Sequence, residues 1–191
     1  MNIPQPARTF LDPLVWGRGP RVLDVFVEPT CPFSGRALGK FDELLTRAGA
    51  DRLTLRLRLN SQPWHTFSPV LTRAVLAAST LPGGKDAARV VLAAIQAHRD
   101  EFEPEQHCQG VLLDASPTQL LARLEALTGQ PLRAAYEDPA LTAELKWQAR
   151  HARQNGIHAT PTFMVDGVVN ADMSSGDTVD AWLAKLGLAA A

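Results

Sequence analysis

The spacing of apolar residues changes along this chain in an order that restricts its fold more than any other feature. Residues 21 to 28 form a short β-branched and apolar run, and residues 32 to 48 carry apolar side chains at helical spacing. Residues 52 to 60 then alternate leucine with polar side chains, which is typical of a strand with one solvated face. A strand, a helix and a strand joined by tight links predict a right-handed parallel βαβ unit.

Helical spacing dominates the middle of the chain, between residues 66 and 155. Its clearest start is the stretch Ser116-Pro117-Thr118-Gln119, a capping box with proline at the first helical position. After residue 156 two short apolar runs flank Asp166-Gly167, the two-residue signal for a tight hairpin, and an amphipathic helix follows them. The whole order, β-α-β, helices, then β-β-α, predicts an α/β protein.

These segments divide the chain into parts of one compact unit. Residues 1 to 20 contain four prolines and no regular apolar spacing, which favours an extended lead-in. Residues 21 to 65 and 156 to 188 form the predicted α/β core, and residues 66 to 155 form a helical insertion between its halves. A chain of 191 residues is long enough to bury a full hydrophobic core.

Composition and charge argue against several function classes. With 46% hydrophobic and 20% charged residues and a net charge of −1, the chain has globular values and no basic block that would attract nucleic acid or an anionic membrane. It has no apolar run of about 18 residues, and its first residues lack the layout of a secretory signal. We therefore expect a cytoplasmic protein, with neither a nucleic-acid nor a membrane partner, whose two cysteines do not form a disulfide framework.

Cys31 lies where the first strand ends and the first helix begins. Pro32 fits the first helical position, and Cys31 would then cap the helix, with the free amides of Phe33 and Ser34 directed at its sulfur. These amides and the helix dipole, which contributes up to about 2 kcal/mol, favour a thiolate. The Ser34 hydroxyl is expected to add a hydrogen bond to the same anion. The alternative is that Cys31 is a small buried hydrophobic residue.

The second candidate segment is residues 159 to 163, Ala-Thr-Pro-Thr-Phe. Pro161 lies directly before a predicted strand, where a cis peptide bond in a tight bend is an option. An ordinary trans proline that breaks the preceding helix is the alternative, and it is favoured by frequency, since about 5% of X–Pro bonds are cis.

Together the two segments resemble the thioredoxin superfamily. A strand, Cys31-Pro32-Phe33-Ser34 and a helix, followed at the far end by Thr160-Pro161 before a hairpin and a last helix, match its order of elements over about residues 21 to 188. The helical block between the halves resembles that of the DsbA family of thiol–disulfide oxidoreductases. The resemblance implies a thioredoxin fold with an all-helical DsbA-type insertion. It further implies that Cys31 attacks disulfides, that a cis Pro161 faces its sulfur, and that Thr160 pairs with the substrate backbone.

The chain departs from that pattern at Ser34, which stands where DsbA proteins have a resolving cysteine. Cys31 therefore cannot close an internal C-x-x-C disulfide, and we expect monothiol exchange with glutathione or a disulfide-containing protein or small thiol as partner. Monothiol glutaredoxins, whose motif also ends in serine, work in this way. Pro32 and Phe33 are candidate substrate contacts beside the sulfur. We expect glutathione as co-substrate, no tightly bound cofactor and no metal, because the cysteines and histidines lack ligand spacing.

Two other functions remain open on the sequence. The groove could hold a peptide or a partner protein without any redox exchange, as a binding module. The chain also shares its helical insertion with kappa-class glutathione transferases and chromene-carboxylate isomerases, although these typically carry serine at the position of Cys31. An isomerase of this kind would need an apolar pocket between the helical block and Pro161.

The residues beneath the expected site form the next departure. Relatives often bury an acid six residues before the nucleophile, and here that position is Val25. Asp24 could substitute for that acid only if the strand is bulged, and otherwise we expect it to pair with a nearby base. Glu28 is expected to be a solvated strand end.

Three other stretches carry candidate residues. Trp64 follows the second strand and is a candidate substrate contact at the rim of the groove, because loops at the carboxyl ends of parallel strands usually line the site. The alternative is a tryptophan packed under the first insertion helix, with His65 exposed. Cys108 is an idle thiol or a distant resolving partner. The glutamates at 101, 103 and 105 are most simply a solvated loop.

Overall fold

The computed structural model describes residues 14 to 103 and 114 to 188, and within them the strands form one twisted sheet. The spatial order is β1-β3-β2-β4-β5. The strand bounds are β1 Val15–Gly17, β2 Arg21–Val27, β3 Leu53–Leu59, β4 Thr162–Val165 and β5 Val168–Val169. Strands β2 and β3 are parallel, as the βαβ pattern predicts, whereas β1, β4 and β5 each run antiparallel to their neighbours. The β3–β2–β4 centre of the sheet is therefore mixed, with the carboxyl ends of β2 and β3 at the same edge.

The connection between β2 and β3 is helical but is not one helix. Helix α1 (Pro32–Leu38) ends at Gly39, and α2 (Phe41–Ala48) begins after Lys40. The predicted single helix over residues 32 to 48 is therefore wrong at its centre. Glycine is a poor helix former, and the Lys40 ammonium donates to the carbonyls of Ser175 (2.7 Å) and Asp177 (2.5 Å), which ties this corner to the C-terminal part of the chain.

The lead-in contributes a strand that the sequence did not indicate. Strand β1 pairs with β3, with Trp16 opposite Leu55, and the Leu57 amide donates to the carbonyl of Leu14 at 2.9 Å. Three residues between a proline and a glycine are too few to show strand periodicity. The strand covers the edge of β3 that would otherwise present unpaired backbone groups.

The insertion is helical throughout its described part. Its helices are α3 Ser68–Ala78, α4 Gly84–Ala97, α5 Arg99–Phe102, α6 Pro117–Thr128, α7 Leu132–Tyr136 and α8 Pro139–Gln154. The capping box at the start of α6 is confirmed: the Ser116 hydroxyl accepts from the Gln119 amide, and the Ser116 amide donates to Gln119 Oε1 at 2.8 Å. The short helix α7 was not predicted. None of the helices in either described range is long and apolar enough to cross a membrane.

The C-terminal half follows the predicted pattern closely. Strands β4 and β5 are joined by Asp166 and Gly167, which both have positive φ angles, 48° and 85°, as a tight hairpin turn requires. Helix α9 (Val179–Lys185) follows and buries Trp182 completely against the sheet, where its ring packs on Phe163 with 5.2 Å between ring centroids.

The two faces of the sheet bury different sets of side chains. The larger core contains Leu23, Val25 and Val27 of β2 together with the leucines of β3 and apolar residues of most of the helices. The opposite face carries Phe26, which packs with Ala152, Ile157 and Met164 beneath α8. Because both faces are covered, the exposed edge at the carboxyl ends of β2 and β3 is where a functional site is expected.

Candidate functional site

Cys31 sits at this edge, directly before α1. It has an extended backbone (φ −67°, ψ 122°) and is the N-cap residue of the helix, with Pro32 at the first helical position as predicted. Its amide donates to the carbonyl of Glu28 at 3.2 Å, and its carbonyl accepts from Gly35 at 3.0 Å. The residue is a free thiol of which only 5% is exposed. The turn after β2 thus holds one reduced sulfur at the mouth of the helix.

The second candidate segment meets this sulfur. The Thr160–Pro161 peptide bond is cis, and the Cys31 thiol donates to the carbonyl of Thr160 with 3.3 Å between sulfur and oxygen. Strand β4 brings the segment there because it pairs with β2, with Thr162 opposite Phe26. Three predicted site residues, Cys31, Thr160 and Pro161, therefore lie together although 129 positions separate the bonded pair in the chain.

The hydrogen bonds around the sulfur differ from those we expected. Cys31 makes no side-chain cap with the helix amides, so the expectation that the amides of Phe33 and Ser34 hold the sulfur is wrong for the protonated thiol. The physical reason is the direction of the bond. A thiol is a donor and turns to a carbonyl, whereas backbone amides are themselves donors and suit an anion.

Ser34 is fully buried and serves a different contact from the predicted one. Its hydroxyl oxygen accepts from the Glu28 amide at 3.2 Å, which ties the end of β2 to α1. In the described parts of the chain the hydroxyl makes no hydrogen bond to the sulfur of Cys31. Ser34 therefore supports the turn in this thiol form of the site.

The three candidate substrate contacts are all exposed to solvent. Pro32 and Phe33 lie on the solvent side of α1, and 52% of Phe33 is accessible. Trp64 is 53% exposed, so the alternative in which it packs beneath an insertion helix is wrong. It lines a groove of about 330 Å³ with Gln62, Arg153, His158 and neighbouring residues. Phe33 follows Cys31 by two residues in the chain, whereas the wall of the groove at Trp64 includes neither Cys31 nor Pro161.

Glu28 is the largest correction to the sequence predictions. It is completely buried rather than solvated, and its Oε2 accepts from the Thr30 amide (2.7 Å) and the Thr30 hydroxyl (2.8 Å). The Glu28 Oε1 atom has no hydrogen-bond partner in the described residues, a condition that costs about 1–3 kcal/mol for a buried polar group. Glu28, which we expected at a solvated strand end, instead has a buried carboxylate that is hydrogen-bonded within the turn before Cys31.

His65 and Glu103 complete this buried group. The His65 Nδ1 atom lies 2.8 Å from the Thr30 hydroxyl and 3.5 Å from one oxygen each of Glu28 and Glu103. The His65 side chain is 10% exposed, which contradicts the expected exposed histidine. Glu103 accepts from the Thr66 amide at 3.1 Å and is buried, so the solvated-loop prediction is wrong at this position.

The neighbouring acid on α5 is also engaged. Glu101 accepts two hydrogen bonds from Arg123, at 2.7 and 2.8 Å, and one from His98. The hydrogen bonds from Arg123 hold the pKa of Glu101 below its ordinary value, more strongly than burial opposes it. Glu105 and Cys108, for which we also made predictions, lie outside the described residues.

Asp24 does not approach the sulfur. The register of β2 against β3 is continuous from Arg21 to Val27, so the strand is not bulged. Asp24 is buried on the opposite face and bonds Arg58 at 2.7 Å, as we predicted for an unbulged strand. Val25, at the position where relatives often have an acid, is fully buried in the larger core.

Two features of the site were missed by the sequence analysis, and one of them left a signal. The signal is the position of Glu28, which is followed by Pro29 and lies three residues before Cys31, so that its carboxylate is close to the nucleophile in the chain. The side chains of His65 and Glu103 come from the loop after β3 and from the residue that ends α5, and nothing local to either residue indicates that contact. Over residues 14 to 103 and 114 to 188, no group of three histidine, cysteine or acidic residues could hold a metal ion.

Comparisons with known proteins agree with this geometry. A family model described as thioredoxin matches residues 18 to 185. A Pseudomonas syringae protein, whose crystal structure is described as that of a candidate protein-disulfide isomerase, is 52% identical. The match covers 92% of this chain and 98% of that one, with a TM-score of 0.89. A comparison with curated proteins gives no match.

More distant structures share the fold. Pseudomonas aeruginosa DsbA2 is 20% identical with a TM-score of 0.65, and the match covers 93% of this chain and 94% of that one. Chlamydia trachomatis DsbA is 19% identical with a TM-score of 0.63, and the match covers 98% and 96% of the two chains. The thioredoxin fold with a DsbA-type helical insertion, which the sequence predicted, is confirmed.

Proposed function

The chain belongs to the thioredoxin family, and we propose that within it the protein is a thiol–disulfide oxidoreductase that works through Cys31 alone, with glutathione as co-substrate. The observation that carries the proposal is the single reduced sulfur at the start of α1, bonded to the Thr160 carbonyl beside the cis peptide bond. Support for disulfide chemistry comes from the Pseudomonas syringae structure, which is described as a candidate protein-disulfide isomerase. Support for a single-thiol cycle comes from Ser34, which replaces a second cysteine.

The cycle has two displacements. The Cys31 thiolate attacks the glutathione sulfur of a mixed disulfide, a new sulfur–sulfur bond joins Cys31 to glutathione, and the substrate leaves as a thiolate that takes a proton from water. A second glutathione thiolate then attacks the sulfur of the bound glutathione, which releases oxidised glutathione and restores the Cys31 thiolate. The net reaction converts one mixed disulfide and one glutathione thiol into the free substrate thiol and one molecule of oxidised glutathione, so that no internal disulfide is needed.

Thr160 and the amides of α1 have separate roles in this cycle. The Thr160 carbonyl holds the resting thiol, and the Thr160 backbone would pair with an extended substrate segment. When Cys31 ionises it no longer donates to that carbonyl, and the positive end of α1 becomes the favoured neighbour of the anion. Phe33 and Trp64 supply exposed apolar surface on which the rest of the substrate would pack. A reducing compartment such as the cytoplasm would supply the glutathione.

An isomerase function is less well supported by the cavities. An apolar cavity of about 330 Å³ lies behind α1, lined by Trp16, Leu38, Phe41 and Leu92 among others, but neither Cys31 nor Pro161 contributes to its wall. A glutathione-dependent isomerase would need its apolar substrate next to the sulfur. The cavity is therefore not placed for that reaction.

The decisive experiment is mass spectrometry of the full chain after incubation with oxidised glutathione. We expect one glutathione adduct on Cys31, which is removed by reduced glutathione. Cys31→Ser should lose the adduct and Cys108→Ser should keep it, and a coupled assay on a glutathionylated peptide should follow the same order. A chain that forms no adduct and does not reduce the peptide, yet binds it, would be a redox-silent binding module and would refute the proposal.

A further inference from the structure

The backbone of the turn that presents Cys31 is bound from two sides. We call residues 29 to 31 the nucleophile turn. Its amides bond to Glu28, which follows β2: the Thr30 amide donates to the Glu28 carboxylate at 2.7 Å, and the Cys31 amide donates to the Glu28 carbonyl at 3.2 Å. Pro29 has no amide hydrogen to donate. The end of β2 therefore binds all the backbone donors of the nucleophile turn.

The carbonyls of the same turn are bound by the helical insertion. Gln96, in the last turn of α4, donates from Nε2 to the carbonyl of Pro29 and, at 3.4 Å, to that of Cys31. Arg99, the first residue of α5, donates from Nε to the carbonyl of Thr30 at 2.8 Å. Three successive carbonyls therefore bond to two insertion side chains that lie three residues apart in the chain.

The side chain of Gln96 packs closely against the start of α1. The Gly35 amide donates to the Cys31 carbonyl at 3.0 Å, and a methyl group at Gly35 would collide with the side-chain amide of Gln96. Glycine inside a helix is less favourable than alanine, so this position gives up helix propensity. The lack of a side chain at Gly35 is what leaves room for Gln96 to reach the nucleophile turn.

We propose that Gln96 and Arg99 are positioning residues for Cys31, through which the helical insertion holds the nucleophile turn against the Thr160 segment. The Cys31 sulfur bonds to the Thr160 carbonyl at 3.3 Å, and Thr160 lies in the loop before β4. The sulfur and the backbone that would pair with a substrate thus belong to separate parts of the chain, and the bonds to the turn fix their separation. A misplacement of about 1 Å can cost about a hundredfold in rate. This inference rests on the proposed function, since it assigns Cys31 as the nucleophile.

The test compares two reactions of Cys31 in a Cys108→Ser background, where it is the sole thiol of the chain. One is single-turnover reduction of a glutathionylated peptide, which docks on the protein, and the other is alkylation by iodoacetamide, which needs no docking. We expect Gln96→Met to lower the ratio of the first rate to the second about tenfold, whereas a change in thiolate content would move both rates together. Arg89→Met is the matched control, because Arg89 also lies in α4 but pairs with Asp42 at 2.7 Å, and it should leave the ratio unchanged.

Further variants separate positioning from a general loss of structure. Arg99→Met should lower the ratio as Gln96→Met does, whereas Arg99→Lys keeps a donor for the Thr30 carbonyl and should restore most of it. Gly35→Ala should lower the ratio by displacing the Gln96 amide group. It should do so without lowering the melting temperature, because alanine is a better helix former than glycine.

Hydrogen exchange followed by mass spectrometry reports on the nucleophile turn without any substrate. Loss of its carbonyl partners should let the turn open more often, so that the amides of residues 29 to 35 exchange faster. We expect this increase in Gln96→Met and Arg99→Met but not in Arg89→Met.

The outcomes distinguish this inference from the proposed function. A ratio of rates that stays at the parent value in both Gln96→Met and Arg99→Met overturns the inference, whether or not the melting temperature changes. If the parent protein reduces no glutathionylated peptide, the proposed function fails, and hydrogen exchange decides the inference. Faster exchange over residues 29 to 35 would then support the role of the two side chains in holding the turn, and unchanged exchange would overturn it.

Discussion

Ser34→Cys is the substitution that most directly tests why this site has one thiol. It places a second sulfur one helical turn after Cys31, the spacing of a C-x-x-C pair. We expect the variant to form an internal disulfide with oxidised glutathione, because the second thiolate attacks the Cys31–glutathione bond before a further glutathione can. Mass spectrometry would then show loss of two hydrogens in place of a glutathione adduct.

The structure also predicts what the substitution costs in the reduced protein. Ser34 is completely buried and accepts from the Glu28 amide at 3.2 Å, near the long end for such a bond. Sulfur is a weak acceptor, so the variant should lose about 0.5–1.5 kcal/mol. For a chain of this length, about 1 kcal/mol lowers the melting temperature by about 2–4 °C, which calorimetry of the reduced proteins can measure.

Two results would refute this reasoning. If the Ser34→Cys chain still accumulates the glutathione adduct and no internal disulfide, the lack of a second thiol is not what makes the site monothiol. If the reduced Ser34→Cys variant and the Ser34→Ala variant both melt at the temperature of the parent protein, the hydrogen bond to Glu28 does not stabilise the turn. Cys31→Ser combined with Ser34→Cys is the control that reports any reaction of the new sulfur by itself.

Three further substitutions test the fold around the site. Asp24→Asn removes the charge that faces buried Arg58 and should lower the free energy of unfolding by about 3–5 kcal/mol in urea titrations. Ser116→Ala removes the capping box of α6 and should cost about 0.5–2 kcal/mol in the same measurement. Arg123→Gln should flatten the acid side of the stability curve: Glu101 has a lowered pKa, so its pairing stabilises above its ordinary value of 4.5 and is lost as the pH falls through the lower folded value.

Each of these three substitutions has a control variant or a result that would contradict the expectation. Asp42→Asn breaks an exposed pair with Arg89 and should cost less than about 1 kcal/mol, and equal losses for it and Asp24→Asn would contradict the role of burial. Thr118→Ala lies in the same turn of α6 without capping it, and should be near neutral. An unchanged pH dependence in Arg123→Gln would show that Arg123 does not set the pKa of Glu101.

Local signals in the sequence predicted much of this structure. The capping box at Ser116 and the Asp166-Gly167 turn are complete within a few residues, so their geometry follows from backbone preferences alone. The strand before Cys31 and the proline after it placed the nucleophile at the start of α1. The break at Gly39 was missed because the helical spacing of apolar residues continues across it, and strand β1 and helix α7 were missed because three and five residues are too few to show periodicity.

The burial of Asp24 and Glu28 was harder to predict from the sequence than the order of helices and strands. Asp24 and Glu28 both flank the sheet face of β2, yet one is buried against Arg58 and the other against Thr30 and His65. The choice between solvent and interior depends on whether a partner arrives from elsewhere in the chain. For Asp24 we predicted the class of partner, a base. The carboxylate of Glu28 is bound by Thr30, two residues away, and is approached by His65 from a loop after β3 that we expected to be exposed.

Ser34 and Glu28 together explain how a serine can suit this position better than a cysteine. The Glu28 amide is buried and needs an acceptor, and the Ser34 oxygen, six residues further along the chain, supplies one. The backbone carbonyl of Glu28 accepts from the Cys31 amide, and the carboxylate of Glu28 accepts from the Thr30 amide. The backbone that positions the sulfur is therefore held at one end by a hydroxyl. A thiol at position 34 would weaken that hydrogen bond, because sulfur is a weak acceptor, so the serine that stands in place of the resolving cysteine also stabilises the turn that presents Cys31.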